Sequence, residues 1–155
     1  MSSNVGSNSK VRAILWHQGE IETSSLNSNY IREINTLFTN MRNDIRTLFP
    51  TSSNVPVLIG GLSLESHRNR ITGVFSNSPS KRFNDFLQSN VVPTIPNCRF
   101  VPSGPMPGFN RYLEGDSEMD ANGQITKINR TNGHFSATSQ REFGKRYFNV
   151  FNSMV

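Results

Sequence analysis

A layered α/β fold, with a parallel sheet covered by helices, is predicted by three observations. Short apolar runs of strand length alternate with segments of helical periodicity, giving strand, helix, strand, helix, strand, helix along the chain. The first run, Val11 to Trp16, is apolar enough to lie inside a sheet. The polar residues that follow it, His17-Gln18-Gly19-Glu20, emerge where open α/β sheets place their ligands.

Each element has its own local reason. Residues 1–9 (MSSNVGSNS) are small and polar and are expected to lack fixed structure, leaving 10–155 as the folded portion. A helix is expected from about Asn27 to Phe49, because Tyr30, Ile34, Leu37, Phe38, Met41, Ile45 and Leu48 form one stripe at 3.6-residue spacing. Pro50 ends it. Pro56 to Leu62 reads as the second strand, and Gly60-Gly61 near its end signals a close backbone approach. The stretch from Ser63 to Asn77 is irregular. A helix from Ser80 to Ser89 is carried by Phe83, Phe86 and Leu87, and Arg99 to Val101 is a short third strand. From Pro102 to Asn132 the chain is rich in Gly, Pro, Asp and Asn, with Asn122-Gly123 as a tight turn. The last helix is expected from about Ser136 to Asn152, with Phe143, Tyr147 and Phe151 on one face. There are no internal repeats.

Composition narrows the function classes. The 155 residues fall in the range of one domain with one core. Only 34% are hydrophobic and the mean hydropathy is -0.48, so the core is modest, and the eleven Phe carry much of the burial. No apolar stretch approaches the ~20 residues of a membrane span, and the N-terminus lacks the charged-then-apolar pattern of a signal peptide. A single cysteine, Cys98, excludes an internal disulfide. Sixteen Lys and Arg against eleven Asp and Glu give +5, a balance that suits nucleic acid, a membrane surface or an acidic glycan. The basic residues are scattered in ones and twos, and the phenylalanines fall at core spacings. Both patterns argue against nucleic acid.

Two segments carry chemistry. Leu15-Trp16-His17-Gln18-Gly19-Glu20 brings an imidazole, a carboxamide and a carboxylate to the lip of a strand. His134, in Gly133-His134-Phe135-Ser136 just before the last helix, can project toward the same end of the sheet, where an imidazole suits proton exchange near neutrality. His17, His67 and His134 are too dispersed for a zinc site, and His17-Gln18-Gly19-Glu20 is not the helical two-histidine arrangement of metalloproteases. Gly60-Gly61 lacks the Lys and Ser or Thr of a phosphate loop, and no cofactor motif is present. Asn129-Arg130-Thr131 is a formal glycosylation sequon.

The WHQGE segment after an apolar strand, together with GHFS opening a helix that continues Gln140-Arg141-Glu142-Phe143-Gly144-Lys145-Arg146-Tyr147, resembles the sialate O-acetylesterase and acetylxylan esterase branch of the SGNH (GDSL-like) hydrolases. The likeness runs from about Lys10 to Phe148. It implies a three-layer, flavodoxin-like parallel sheet and a serine esterase acting on O-acetylated carbohydrate. It assigns His134 as general base, Gln18 as the amide that helps hold the oxyanion, and Glu20 as the carboxylate that orients the histidine. Gly19 would let the backbone turn between the last two.

Two departures from that family matter. The position three before the histidine, usually Asp, is Thr131, which carries no negative charge. Glu20 must then serve as the acid, with Asp116 or Asp120 as loop alternatives. The GQSN-type nucleophile segment is also missing: Gly6-Ser7-Asn8 follows no strand, and Ser63 lies at the end of the family's next strand. The fold is therefore expected to lack the first strands of its class and to leave Val11–Trp16 open on one side, an association hazard. A second polypeptide or a homo-oligomer is expected to complete the sheet and to supply the serine. The alternative is a catalytically incomplete structural or glycan-binding module built on the same scaffold.

Overall fold

A computed structural model of the chain describes residues 9–24, 26–52, 54–64, 79–109, 117–119, 125–128 and 135–155. Strand β1 is Ile14–Trp16, helix α1 is Ser28–Leu48, β2 is Val57–Gly60, α2 is Pro79–Phe86 and β3 is Cys98–Val101. Two short strands, β4 (Ser117–Met119) and β5 (Ile125–Ile128), precede the final helix α3 (Ala137–Asn152). The first three strands form a parallel sheet in the order β1-β2-β3, with Leu15 opposite Leu58 and Ile59 opposite Phe100. The α/β class and the parallel sheet expected from the sequence are those observed.

Alternation along the strands divides the core between the two faces of the sheet. Ile14, Val57 and Ile59 turn toward Tyr30, Ile34 and Phe38 of α1 and Phe83 of α2. Leu58 and Val101 turn the other way, against Phe135 and the α3 residues Phe143 and Tyr147. Helices therefore cover both faces, as a parallel sheet requires. Among the described residues, no helix is long and apolar enough to cross a membrane.

The caps explain where the helices start and stop. Asn27 Oδ1 accepts from the Asn29 and Tyr30 amides at 3.0 and 3.1 Å, so Asn27 caps α1 and the helix starts at Ser28, within a residue of the expected Asn27. At its other end the Phe49 amide donates to the Ile45 carbonyl, and Pro50 prevents another turn. Ser136 accepts from the Ser139 amide at 3.2 Å and caps α3.

Several sequence expectations need correction. Strand β1 is three residues, not six: the Val11 amide is drawn off to the Ser52 hydroxyl at 2.9 Å before pairing begins. Strand β2 is likewise shorter than Pro56–Leu62, because Asn84 takes over the backbone beyond it. Its side chain accepts from the Leu62 amide at 2.7 Å and donates to the Leu62 carbonyl at 2.9 Å. Leu37 and Leu48, both on the helical stripe of α1, are exposed, Leu48 by 72%. The helix expected over Ser80–Ser89 starts at Pro79 and widens at Leu87–Val91 into a π-turn that keeps Leu87 and Val91 buried, followed by a 3-10 turn over Val92–Thr94. The antiparallel β4–β5 pair was not expected at all. Asn122-Gly123, between those strands, lies outside the described residues, as do residues 1–8, 65–78 and the Asn129 sequon.

Gly60 is needed for close approach. A Cβ there would overlap the Tyr147 hydroxyl and the Phe143 ring, so the end of β2 and α3 meet only because the side chain is missing. Arg146 of α3, fully buried, donates to the Pro102 carbonyl at 2.9 Å, to the Gly104 carbonyl, and to Glu142 Oε1 at 2.5 Å. It thereby fixes the chain leaving β3 to the last helix. Cys98 is buried at the start of β3, and burial pushes its thiol up to about 11.

Two stability predictions follow from these contacts. Gly60→Ala is expected to lower stability by about 1–3 kcal/mol, the usual cost of overpacking, with the loss read as a fall in the urea midpoint. Tyr30 lies in the core, its hydroxyl without a partner among the described residues, and burial, assisted by the charge of Glu22, raises it from 10.0 to about 12. A phenol raised in the folded state supports the fold fully below its unfolded value and loses that support as pH climbs through the folded one. Stability should therefore fall between pH 10 and about 12, and Tyr30→Phe should flatten that fall while leaving neutral-pH stability unchanged or slightly higher.

Candidate functional site

The site is built from the end of β1 outward. Trp16 turns toward α1, its indole edge-on to Phe38 at 5.6 Å between centroids. The next residue therefore turns toward α3. The His17 imidazole packs between Phe135, at 5.4 Å, and Phe143, at 5.5 Å. The Trp16 carbonyl between these two side chains accepts a 2.8 Å hydrogen bond from Tyr147, whose phenol is pushed up by burial. The C-terminal helix thus grips the backbone one residue before the polar segment.

Gly19 makes the turn possible. Its φ of 137° lies where side chains are strained, and a Cβ would run into the Phe83 ring. The turn folds Glu20 back on the strand end. Its Oε2 accepts from the Gly19 amide at 3.1 Å, and its Oε1 lies 3.8 Å from His17 Nδ1. The carboxylate is about a third exposed, so it faces both an imidazole and solvent. The Gln18 side chain makes no hydrogen bond among the described residues and is half-buried, which leaves its amide free to donate.

A cavity of ≈ 370 Å³ opens beside these groups, lined by His17, Glu20, Gln140 and the rings of Phe135, Phe143 and Tyr147. Gln140 Nε2 donates to the Phe135 carbonyl at 3.1 Å and fixes the residue that enters α3.

The expected site residues divide accordingly. Gln18 and Glu20 share the strand end. His134, Thr131, Asp116, Asp120 and Ser7 lie outside the described residues. Ser63 is 4% exposed, and its hydroxyl has no hydrogen-bond partner, and so no base beside it, among the described residues. His17 is Glu20's neighbour, a pairing the sequence analysis does not assign, because it depends on the positive φ of Gly19.

Among the described residues, no group of three or more His, Cys, Asp or Glu is arranged to hold a metal. The arrangement suits acid–base and oxyanion chemistry carried by side chains. An imidazole and a carboxylate meet at the cavity's lip, and Gln18 lies between them in the chain at the same strand end.

Comparison with curated proteins gave no match. Residues 1–153 match the family described as carbohydrate esterase, sialic acid-specific acetylesterase, and since that match spans nearly the whole sequence, the chain belongs to this family.

Proposed function

We propose that this chain carries the acid–base and oxyanion half of a carbohydrate O-acetylesterase, with the attacking serine contributed by a second polypeptide. The observation that carries this reading is the placement of Gln18 and Glu20 at the end of β1, the carboxylate held by the Gly19 amide and the carboxamide left free. Family membership supports an O-acetylated sugar as substrate. The SGNH arrangement suggested by the sequence is supported by the partial three-stranded parallel sheet with helices on both faces.

In this reading the serine oxygen attacks the acetyl carbonyl while His134 takes the hydroxyl proton. The carbonyl electrons move onto oxygen, and the Gln18 amide donates to that oxyanion. Collapse of the intermediate breaks the bond to the sugar oxygen, which leaves with the proton from His134. Water then repeats the sequence to release acetate and regenerate the serine. Glu20 stabilises the charged imidazole that forms in each half. Neither half needs a metal or cofactor to balance.

An activated ester tests the assignment without the partner, because a positioned imidazole can assist water directly. Hydrolysis of p-nitrophenyl acetate by the chain should exceed that of buffer. It should drop to background in His134→Ala and fall roughly 10²-fold or more in Gln18→Ala, as for other oxyanion donors. Glu20→Gln should fall between them. Equal rates for the parent and all three variants would remove the esterase reading and leave a binding module on the same scaffold.

A further inference from the structure

Three neighbouring cavities lie in series, the first between the segment entering β1 and Thr51, Ser52, Val55 and Pro56, the other two between the β1 side and α3. The first shares Arg12 and Phe151 with the second, and the second shares Gly144 and Tyr147 with the third. Together they form one groove reaching from the base of the sheet to the site. Its middle section, ≈ 430 Å³, has a floor of Ala13, Leu15, Tyr147, Phe148 and Phe151.

Both walls are unfinished. β1 pairs only with β2 among the described residues, and Ile14 donates to the Pro56 carbonyl at 2.8 Å. Alternate residues of a parallel strand bond to a given neighbour, so the N–H and C=O of Leu15 point to the open side. Its side chain is 60% exposed although Ile14 beside it is buried. On α3, Phe148 is 63% exposed on the same face as Gly144. A Cβ on Gly144 would meet no atom within 4 Å. A glycine at mid-helix costs helix stability, and nothing among the described residues uses the space it leaves.

We propose that this groove is the docking surface for a strand followed by an amphipathic helix, both from a second polypeptide with acidic flanks. The strand takes the outward N–H and C=O of Leu15, and the helix lies against Phe148 in the notch at Gly144. Charge selects the occupant. Lys10 and Arg12 line one side; on α3, Arg141 precedes Gly144 and Lys145 precedes Phe148 by three residues each, which sets both on the flank of that face. All four are exposed, and none makes an ion pair among the described residues. The single acidic side chain lining the groove, Glu20, stands at its far end. A second copy of this chain would bring Arg12 and Arg141 against the same cations on a molecule that also carries +5. An acid-flanked segment satisfies them, and an exposed apolar edge strand is the template it extends. The inference deepens the reading above by saying where the second polypeptide sits.

Two fluorescein-labelled synthetic peptides of about 30 residues test it, each with an apolar strand, a turn and an amphipathic helix. They differ only in carrying glutamates or lysines on the helix flanks. Fluorescence anisotropy with the full chain should show binding of the glutamate peptide, weakening by about tenfold or more as salt rises from roughly 50 to 300 mM. Gly144→Trp, which fills the notch, should weaken binding about tenfold while circular dichroism and melting stay those of the parent. The double variant Arg12→Glu, Arg141→Glu should reverse the preference toward the lysine peptide. Equal affinity for the two peptides, or undiminished binding by Gly144→Trp, would overturn the proposal. So would a dimer in sedimentation that Gly144→Trp dissolves, since that places a second copy in the groove. No ester is present in these measurements. Binding without hydrolysis would therefore retain the surface while removing the chemistry, and hydrolysis without binding would do the reverse.

Discussion

The hydrogen bond from Tyr147 to the Trp16 carbonyl is the contact on which the arrangement of this protein depends. It crosses from the last helix to the first strand, and it exists only because Gly60 presents no side chain to the phenol. Through it, the position of α3 is set relative to the end of β1. Phe135 and Phe143 then close on His17, and Glu20 folds back beneath them. Remove that registration and the aromatic wall and the polar lip would belong to separate parts of the molecule.

The same contact explains the division of labour between the two sheet faces. On the α1 side, aliphatic and aromatic side chains form the larger cluster, with Phe38 and Phe83 fully enclosed. On the α3 side the cluster is smaller and is completed by a buried arginine that binds loop carbonyls beyond β3. A cation in place of an aliphatic residue there is costly to bury, and Glu142 offsets it one turn away. The smaller face is thus held by directional bonds, which suits a face that carries the site.

Much of this was legible in the sequence because local and global signals agreed. The stripe from Tyr30 to Ile45 with Asn27 before it and Pro50 after it specifies α1 almost to the residue. Gly60-Gly61 marks a close approach in the sequence itself, and Gly19 marks the turn that shapes the lip. What failed, failed for identifiable reasons. Leu37 and Leu48 keep helical spacing but drift off the buried face of a 21-residue helix. Leu87 and Val91 stay inside by a widened turn, and a 3.6-residue template cannot anticipate that. Strands β4 and β5 are three and four residues long, without an apolar alternation to mark them. At the site, Gln18 and Glu20 could be read from their place after a strand. The His17–Glu20 proximity depends on the positive φ of Gly19, which spacing alone does not reveal.

Cys98 has a consequence for chemistry performed on the protein. Its sulfur is enclosed at the start of β3 and held in the thiol form well past neutrality. Thiol-directed alkylating agents therefore find no ready thiolate on the native protein. A cysteine introduced at the surface would be the sole reactive sulfur, so dyes, crosslinkers and spin labels can be placed one site at a time on an otherwise unaltered background.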